Sequence, residues 1–215
     1  MTIRSPFAVL LAAALLAACS EPMTGADPAA ISAVDPDDPA WVAAAEPCTP
    51  RSPALSLTAD KREALPPLTG RFDTPDDEWA RVAREVPGGW GGLLYVEGRL
   101  TLYLVDPGQR EAAVSALERL LAGTGHARVV PELRGAAVRR GRWDFAQLYD
   151  WYRYLHQTVW QVGGMTSSDI DEGANRITYG VANQDARQRL ERHLRSLGIP
   201  CYLVAIEIRP PAQIG

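Results

Sequence analysis

A repeated order of predicted strands and helices is the feature that most constrains the fold of this 215-residue chain. In the first copy, GLLYVEGRLTLYLV reads as two strands joined at Glu97-Gly98. A helix then follows Asp106-Pro107, and ARVVPEL is predicted as a third strand. In the second copy, two strands flank Gly173-Ala174, Asn183 caps a helix, and CYLVAIEI closes the unit. The sequence therefore predicts two β-β-α-β lobes.

The two copies can be aligned at several positions if two short changes in loop length are allowed. Arg99-Leu100-Thr101 matches Arg176-Ile177-Thr178, Gly123 matches Gly198, and Glu132 matches Glu207. Lobe one is predicted over about residues 90–134 and lobe two over about residues 166–208. The predicted fold class is α+β, with a small antiparallel sheet in each lobe.

A long aromatic-rich helix is predicted between the lobes, over about residues 142–162. One apolar stripe has helical spacing and consists of Leu148, Tyr152, Leu155, Val159 and Val162. Aromatic residues lie around the other faces: Trp143, Phe145, Tyr149, Trp151, Tyr154 and Trp160. A helix that is apolar on more than one side is expected to pack between the two sheets. The alternative is an aromatic surface for a partner or a ligand.

The N-terminus has the pattern of a lipoprotein signal peptide, predicted over residues 1–18. Phe7 to Ala18 is an uninterrupted apolar run of about 18 Å as a helix, too short for a bilayer core of about 30 Å. Leu16-Ala17-Ala18-Cys19 resembles the lipobox of bacterial lipoproteins. The resemblance implies that Cys19 carries fatty acyl chains such as palmitate and anchors the protein to the membrane. We therefore expect an extracytoplasmic location in the cell envelope, at the periplasmic face or the outer membrane.

Residues 19–66 are predicted to be a disordered acidic tether, followed by one domain over residues 67–215. Residues 20–66 are rich in Ala and Pro and hold eight acidic but three basic residues. The remainder, from residue 67, has equal numbers of acidic and basic residues. A domain without net positive charge disfavours a nucleic-acid partner, because phosphate binding needs a clustered cationic face.

The other two cysteines are predicted to form a disulfide. With Cys19 acylated, Cys48 in the tether and Cys201 before the last predicted strand remain. Outside the cytoplasm such a pair is usually oxidised. A Cys48–Cys201 bond would fix the end of the tether to the domain, and two free thiols are the alternative.

The second hairpin carries a family resemblance. Its pattern, D-x-x-x-N-R-[IV]-x-x-G-V, is formed by Asp171, Asn175, Arg176, Ile177 and Val181. Together with the paired lobes, it resembles the pro-regions of secreted bacterial proteases of the alpha-lytic protease and streptogrisin group, over roughly residues 90–208. The resemblance implies a foldase or tight inhibitor that pairs a sheet edge with a protease. Pro210 and Pro211 cannot donate ladder hydrogen bonds, so insertion of the C-terminal tail is not expected.

We find no pattern that predicts catalysis, a metal or a cofactor. An EF-hand counted from Asp169 has Gly173 and Gly180 at ligand positions, so a turn explains SSDIDEGANR better. No histidine has zinc-ligand spacing to another ligand, and no G-x-S-x-G motif occurs. A triad that combines Ser167 or Ser168 with His156 and Asp169 has no support beyond closeness in sequence. The prediction is that the protein is not an enzyme.

Two hypotheses for function remain open. The first is a protein-interaction role, because small sheets have edges that invite strand addition by an envelope protein or protease. A candidate interaction patch consists of Arg134, Arg139, Arg140 and Arg142, for which a solvated loop is the alternative. The second hypothesis is a small-ligand-binding lipoprotein with a pocket between the lobes, lined by aromatic residues of the central helix.

Overall fold

The computed structural model describes residues 56–65 and 74–209. The α-helices in these ranges are α1 (Ala59–Glu63), α2 (Pro75–Glu85), α3 (Arg110–Leu121), α4 (Phe145–Val159) and α5 (Gln184–Ser196). The strands are β1 (Trp90–Val96), β2 (Arg99–Leu104), β3 (Ala137–Arg140), β4 (Met165–Asp171), β5 (Arg176–Val181) and β6 (Val204–Ile208). Short 3-10 helices span Pro107–Gln109, Ala127–Gly135 and Trp160–Val162. The α+β class is confirmed.

The strands form two sheets of three, called sheet A (β1-β2-β3) and sheet B (β4-β5-β6). In each sheet the first two strands are an antiparallel hairpin, and the third strand runs parallel to the second. The prediction of purely antiparallel sheets is therefore wrong. A helical crossover returns the chain to the same end of the sheet, so the third strand must be parallel to the second.

The repeat is confirmed at the level of backbone hydrogen bonding. Each hairpin has a register irregularity near its start, at Trp90/Gly92 in sheet A and at Met165/Ser167 in sheet B. The amide of Gly141 donates to the carbonyl of Leu104 at 2.8 Å, and the amide of Arg209 donates to that of Val181 at 2.8 Å. The two lobes are therefore copies of one backbone unit. The copies share the bulge in the hairpin and the hydrogen bond formed by the residue just after the last strand.

One part of the predicted alignment is wrong. ARVVPEL lies in the 3-10 helix Ala127–Gly135, and the third strand of lobe one begins later, at Ala137. Pro131 lacks the N–H that a ladder needs, which disfavours a strand here. Tyr103 pairs with Arg139, and Gly180 pairs with Glu207. The counterpart of Glu207 is therefore Arg139, not Glu132.

Caps account for where the helices begin. Thr74 and Asp144 each form a capping box, before α2 and α4, and Asn183 accepts from the amide of Ala186 at 2.9 Å before α5. The cap at Asp144 starts the central helix three residues later than predicted. The helix then tightens into the 3-10 turn Trp160–Val162, so the predicted range 142–162 contains a shorter α-helix.

The central helix α4 packs against both sheets and against α2 and α5. Of its predicted stripe, Leu148, Leu155 and Val159 are fully buried, whereas Tyr152 and Val162 are half-buried. Four of the six aromatic residues, Trp143, Phe145, Tyr149 and Trp151, are buried in the common core. The interpretation of this helix as a packing element is confirmed for these residues. Trp160 remains 44% exposed.

Residues 56–65 differ from the extended chain that the tether prediction assigns to them. They form α1 and place Leu57, 5% exposed, in the core. The Nζ atom of Lys61 donates to the carbonyl of Leu197 at 2.8 Å and lies 5.1 Å from the ring centre of Trp151. This segment is thus docked on the domain. The signal peptide, Cys19 and the tether up to residue 55 lie outside the described residues.

Candidate interaction surface

The tip of the β4–β5 hairpin, residues 172–175, fastens lobe two to lobe one. Asn175 is completely buried, and its Oδ1 atom accepts from the amides of Arg142 and Trp143 at 2.7 and 2.9 Å. Its Nδ2 atom donates to the carbonyl of Trp143 at 2.9 Å. Tyr103 adds a hydrogen bond from its hydroxyl to the carbonyl of Gly173, at 3.0 Å. One amide side chain thus provides hydrogen-bond partners for two backbone N–H groups and one backbone carbonyl just after β3.

Sheet A has two glycines, and so no side chains, where this tip lies against it. A Cβ atom on Gly91 would lie 2.6 Å from the carbonyl oxygen of Trp143 and 2.7 Å from Nδ2 of Asn175. A Cβ atom on Gly92 would lie 2.8 Å from Cγ of Glu172. The two glycines stand at the β1 bulge, where the absence of side chains lets the hairpin approach. The sequence predictions missed this contact, although the Gly-Gly pair at the start of β1 is a signal that indicates such an approach.

The stretch SSDIDEGANR is therefore a hairpin with a structural role. The Oδ1 atom of Asp171 accepts from the amide of Ala174 at 2.9 Å, which closes the turn. No group of three potential metal-binding side chains lies together in the part of the chain that the structure describes. The hydroxyl of Ser168 contacts that of Tyr152 at 3.0 Å, and His156 accepts from the indole of Trp160. Of the suggested triad residues, Ser168 and His156 are thus engaged with other partners.

Strand β4 is an edge strand with an accessible surface. It has seven residues and, among the described strands, only β5 beside it. Ile170 is its single buried residue, and Asp169 is exposed. The sequence MTSSDID contains no proline, lysine or arginine, which commonly protect strand edges from pairing. Its edge is protected by little more than the bulge near its start and its two carboxylates.

Four carboxylates lie around the end of β4 and the start of α2: Asp76, Asp169, Asp171 and Glu172. Burial, followed by repulsion from Asp169 and Asp77, raises the pKa of Asp76. Burial and the charge of Asp171 raise the pKa of Asp169 in the same way, against a lowering influence of Arg209. Burial, with repulsion from the other three carboxylates, raises the pKa of Glu172 to about 7. The end of β4 thus carries a cluster of acidic groups that repel one another when ionised.

The predicted arginine patch is divided by the fold. Arg134 lies before β3 and forms a bidentate pair with Glu118, with distances of 2.7 and 3.1 Å. Arg139 lies in β3, and its Nη1 atom donates to the hydroxyl of Tyr103 at 3.5 Å. Arg142 stacks 4.3 Å above the ring of Tyr202, and Arg140 is exposed. Arg139 and Arg142 therefore belong to the contact between the lobes, whereas Arg134 lies in a separate ion pair on α3.

Cys201 is half-buried in the turn before β6. It precedes Tyr202, whose carbonyl accepts from the indole nitrogen of Trp143 at 3.3 Å, so it lies close to the contact between the lobes. Cys48 is outside the described residues. The Cys48–Cys201 disulfide stays a prediction.

A small cavity of about 300 Å³ lies between α2 and α4. Its described lining consists of Thr74, Asp76, Asp77, Tyr149, Tyr152, Arg153, His156 and Gln157. The hydroxyl of Tyr149 makes a short hydrogen bond to Asp77, and burial is the main cause that raises the pKa of this tyrosine. The aromatic lining comes from the central helix, and the hypothesis of a pocket between the lobes stays a prediction. The described walls come from the two helices, however, rather than from both lobes.

Comparison with protein-family models and with curated proteins finds no match for this chain. Within residues 56–65 and 74–209, no helix has the length and apolar character needed to cross a membrane.

Proposed function

We propose that this chain is a lipid-anchored protein of the bacterial cell envelope that binds another protein by strand addition to β4. In this proposal it has no catalytic role, and acylation of Cys19 holds it at the membrane. The observation that carries the proposal is the edge of β4, which has only β5 beside it among the described strands, is little buried and contains no basic or proline residue. An extended segment of a partner could form backbone hydrogen bonds along it.

The other edge strands are less suitable for a partner. The first three residues of β1 are buried, and its bulge receives the hairpin tip of lobe two. Strand β3 has four residues, and Asn175 holds the chain immediately after it. Strand β6 has five residues, of which the first three are buried. Among the described edge strands, β4 alone has seven residues of which only one is buried.

The resemblance to protease pro-regions supports a protease as the partner. Pro-regions of that group bind through a sheet edge, and β4 and β5 form the hairpin that carries the resemblance. We propose that the bound protease is inhibited, as the resemblance to pro-regions implies. This part of the proposal rests on the resemblance alone.

A retention experiment with charge variants tests the proposal. The protein from residue 20 onwards is immobilised through an added C-terminal tag, and solubilised envelope extract is passed over it. Coupling through lysine is unsuitable, because Lys61 is engaged with Leu197 and two aromatic rings. Asp169→Lys places a protective lysine on the β4 edge. We expect it to reduce retention of a saturable partner at least about tenfold, or 1.4 kcal/mol.

Glu207→Lys is the matched control for that variant. Glu207 is also exposed on the outer face of sheet B, but it lies on the opposite edge strand, β6. The same change of charge there should leave retention within a factor of two or so of the wild type. Equal losses in the two variants would point to net charge rather than to the β4 edge and would contradict the proposal, as would the absence of any saturable partner.

The cavity between α2 and α4 favours a second candidate function, the binding of a small ligand. Its tyrosine rings, together with Asp76 and Asp77, would suit a small organic cation. Arginine amide is a suitable probe and should raise the melting temperature with increasing concentration, because it binds only the native state. Asp76→Asn should abolish that rise, whereas Glu97→Gln should not. An unchanged melting temperature at millimolar probe would exclude this candidate.

A further inference from the structure

Glu172 occupies an unusual place for a carboxylate. It follows the last residue of β4, and its side chain lies against the glycine bulge of sheet A. The contact is close, since a Cβ atom on Gly92 would lie within 2.9 Å of both Cβ and Cγ of Glu172. Three residues later, Asn175 fastens the same tip to the backbone of lobe one. The charge of Glu172 is thus held within the contact between the lobes.

The charges that raise the pKa of this carboxyl are those of three other carboxylates. Helix α2 contributes Asp76, and β4 contributes Asp169 and Asp171. Sheet A contributes uncharged neighbours from β1, the hydroxyl of Tyr103 from β2, and Arg139, which is 3.5 Å from that hydroxyl. Arg176 faces Asp171 across β4 and β5, and Arg209 acts on Asp169. Within the described ranges, none of the four carboxylates has an ion pair within 4.0 Å.

We propose that Glu172 makes the contact between the two lobes sensitive to pH. When its carboxyl is protonated, the hairpin tip lies closed on the bulge of sheet A. When the carboxyl ionises, it is repelled by Asp76 and Asp169. Moving towards water then lowers the free energy of the charged group, so the tip loosens. The strand that ends at this tip is β4, but the inference does not depend on what β4 binds.

The expected direction follows from proton linkage. The pKa of Glu172 is raised to about 7 in the folded protein, from an ordinary value of 4.5. The folded state therefore holds this proton more tightly than the unfolded chain does. The stabilisation is fully present below about pH 4.5 and is lost as the pH rises towards 7 and slightly beyond. Between pH 6 and 8, Glu172 is accordingly the carboxyl whose titration loosens the contact.

Glu172→Gln tests the inference, because it removes the charge and keeps the shape. The wild-type melting temperature should fall by about 3–5 °C between pH 6 and pH 8 in excess of the change in the variant. Exchange of the Ala174 and Asn175 amides should also accelerate more in the wild type than the intrinsic pH dependence explains. Glu97→Gln makes the same change on the exposed tip of lobe one and should behave as the wild type.

A second variant keeps the test decisive if Glu172→Gln folds poorly. Asp76→Asn removes one repelling charge, so the midpoint of the pH transition should move to lower pH while the transition remains. An NMR titration of the Glu172 side chain would follow the same midpoint directly. The inference is overturned if Glu172→Gln keeps the full wild-type pH dependence, or if Asp76→Asn leaves the midpoint where it was.

Discussion

The two β-hairpins of this protein have the same backbone plan and different surroundings. In lobe one the tip is Glu97-Gly98, which is exposed, and a Cβ atom on Gly98 would meet no atom within 4 Å. In lobe two the tip is residues 172–175, which is held against sheet A by Asn175. Each tip has one non-glycine residue with positive φ, Glu97 at 50° and Asn175 at 51°. The backbone strain at the two tips is similar, but only the tip of lobe two makes hydrogen bonds to the other lobe.

This difference shows how a repeat can become asymmetric. The tip of lobe two covers part of the outer face of sheet A, where glycines at the bulge make room for it. The corresponding bulge of sheet B has Thr166 and Ser167 in place of Gly91 and Gly92. Hydroxyl side chains occupy the space over Gly180, where an added Cβ atom would lie 2.8 Å from Oγ1 of Thr166 and would overlap Oγ of Ser167. The tip of lobe two therefore packs on sheet A, whereas the tip of lobe one does not pack on sheet B and remains in solvent.

The largest expected effect comes from Asn175→Ala. The change removes three hydrogen bonds and leaves buried backbone groups of Arg142 and Trp143 without their partner. We expect the free energy of unfolding to fall by about 3 kcal/mol, measured by chemical denaturation. Glu97→Ala, at nearly the same φ but in solvent, should change it by less than about 0.5 kcal/mol. Equal effects would show that the two tips do not differ in role.

Gly91→Ala should have the next largest effect. The added methyl group meets the backbone carbonyl of Trp143, which cannot rotate away as a flexible side chain could. A loss of about 2 kcal/mol in the free energy of unfolding is expected. Gly135→Ala is the control, since no atom lies within 4 Å of the position of its added Cβ atom. A neutral Gly91→Ala would mean that the hairpin does not approach sheet A so closely.

Gly98→Ala should have the smallest effect. The position has a φ of 77° and open space around it, so only backbone strain opposes the substitution. We expect a loss of about 1 kcal/mol with no change in the contact between the lobes. Amide exchange at Arg142 and Trp143 should therefore stay as in the wild type. Faster exchange there would link the exposed tip to the interface and weaken the contrast between the hairpins.

Local patterns in the sequence predicted the repeating unit well. The turn residues at both hairpins and the cap at Asn183 act through their immediate neighbours, so a single sequence contains the necessary information. The third strand of lobe one was misplaced because an apolar run with valines resembles a strand. Pro131 and the parallel register with β2 decide that position, and the register depends on residues more than thirty positions away.

The contact between the lobes could not be predicted in the same way. Asn175 matched a hairpin pattern, but its partners lie 32 and 33 residues earlier in the chain. The proximity of Asp76 to Glu172 likewise depends on how α2 packs against α4 and β1. The arginine patch was predicted from closeness in sequence, and the fold separates Arg134 from Arg139 and Arg142. Tertiary packing, rather than local preference, decides each of these cases.

Amide hydrogen exchange at the two hairpin tips is the most direct test of the central claim that one tip fastens the lobes together. Under acidic conditions that keep Glu172 protonated, the amides of Arg142 and Trp143, which donate to Asn175, should exchange only through large-scale unfolding. The amides at Glu97-Gly98 should exchange through local opening, faster by a factor of about a hundred or more. Similar, fast exchange at both tips would contradict the claim, because it would show that the lobe-two hairpin is not held against sheet A.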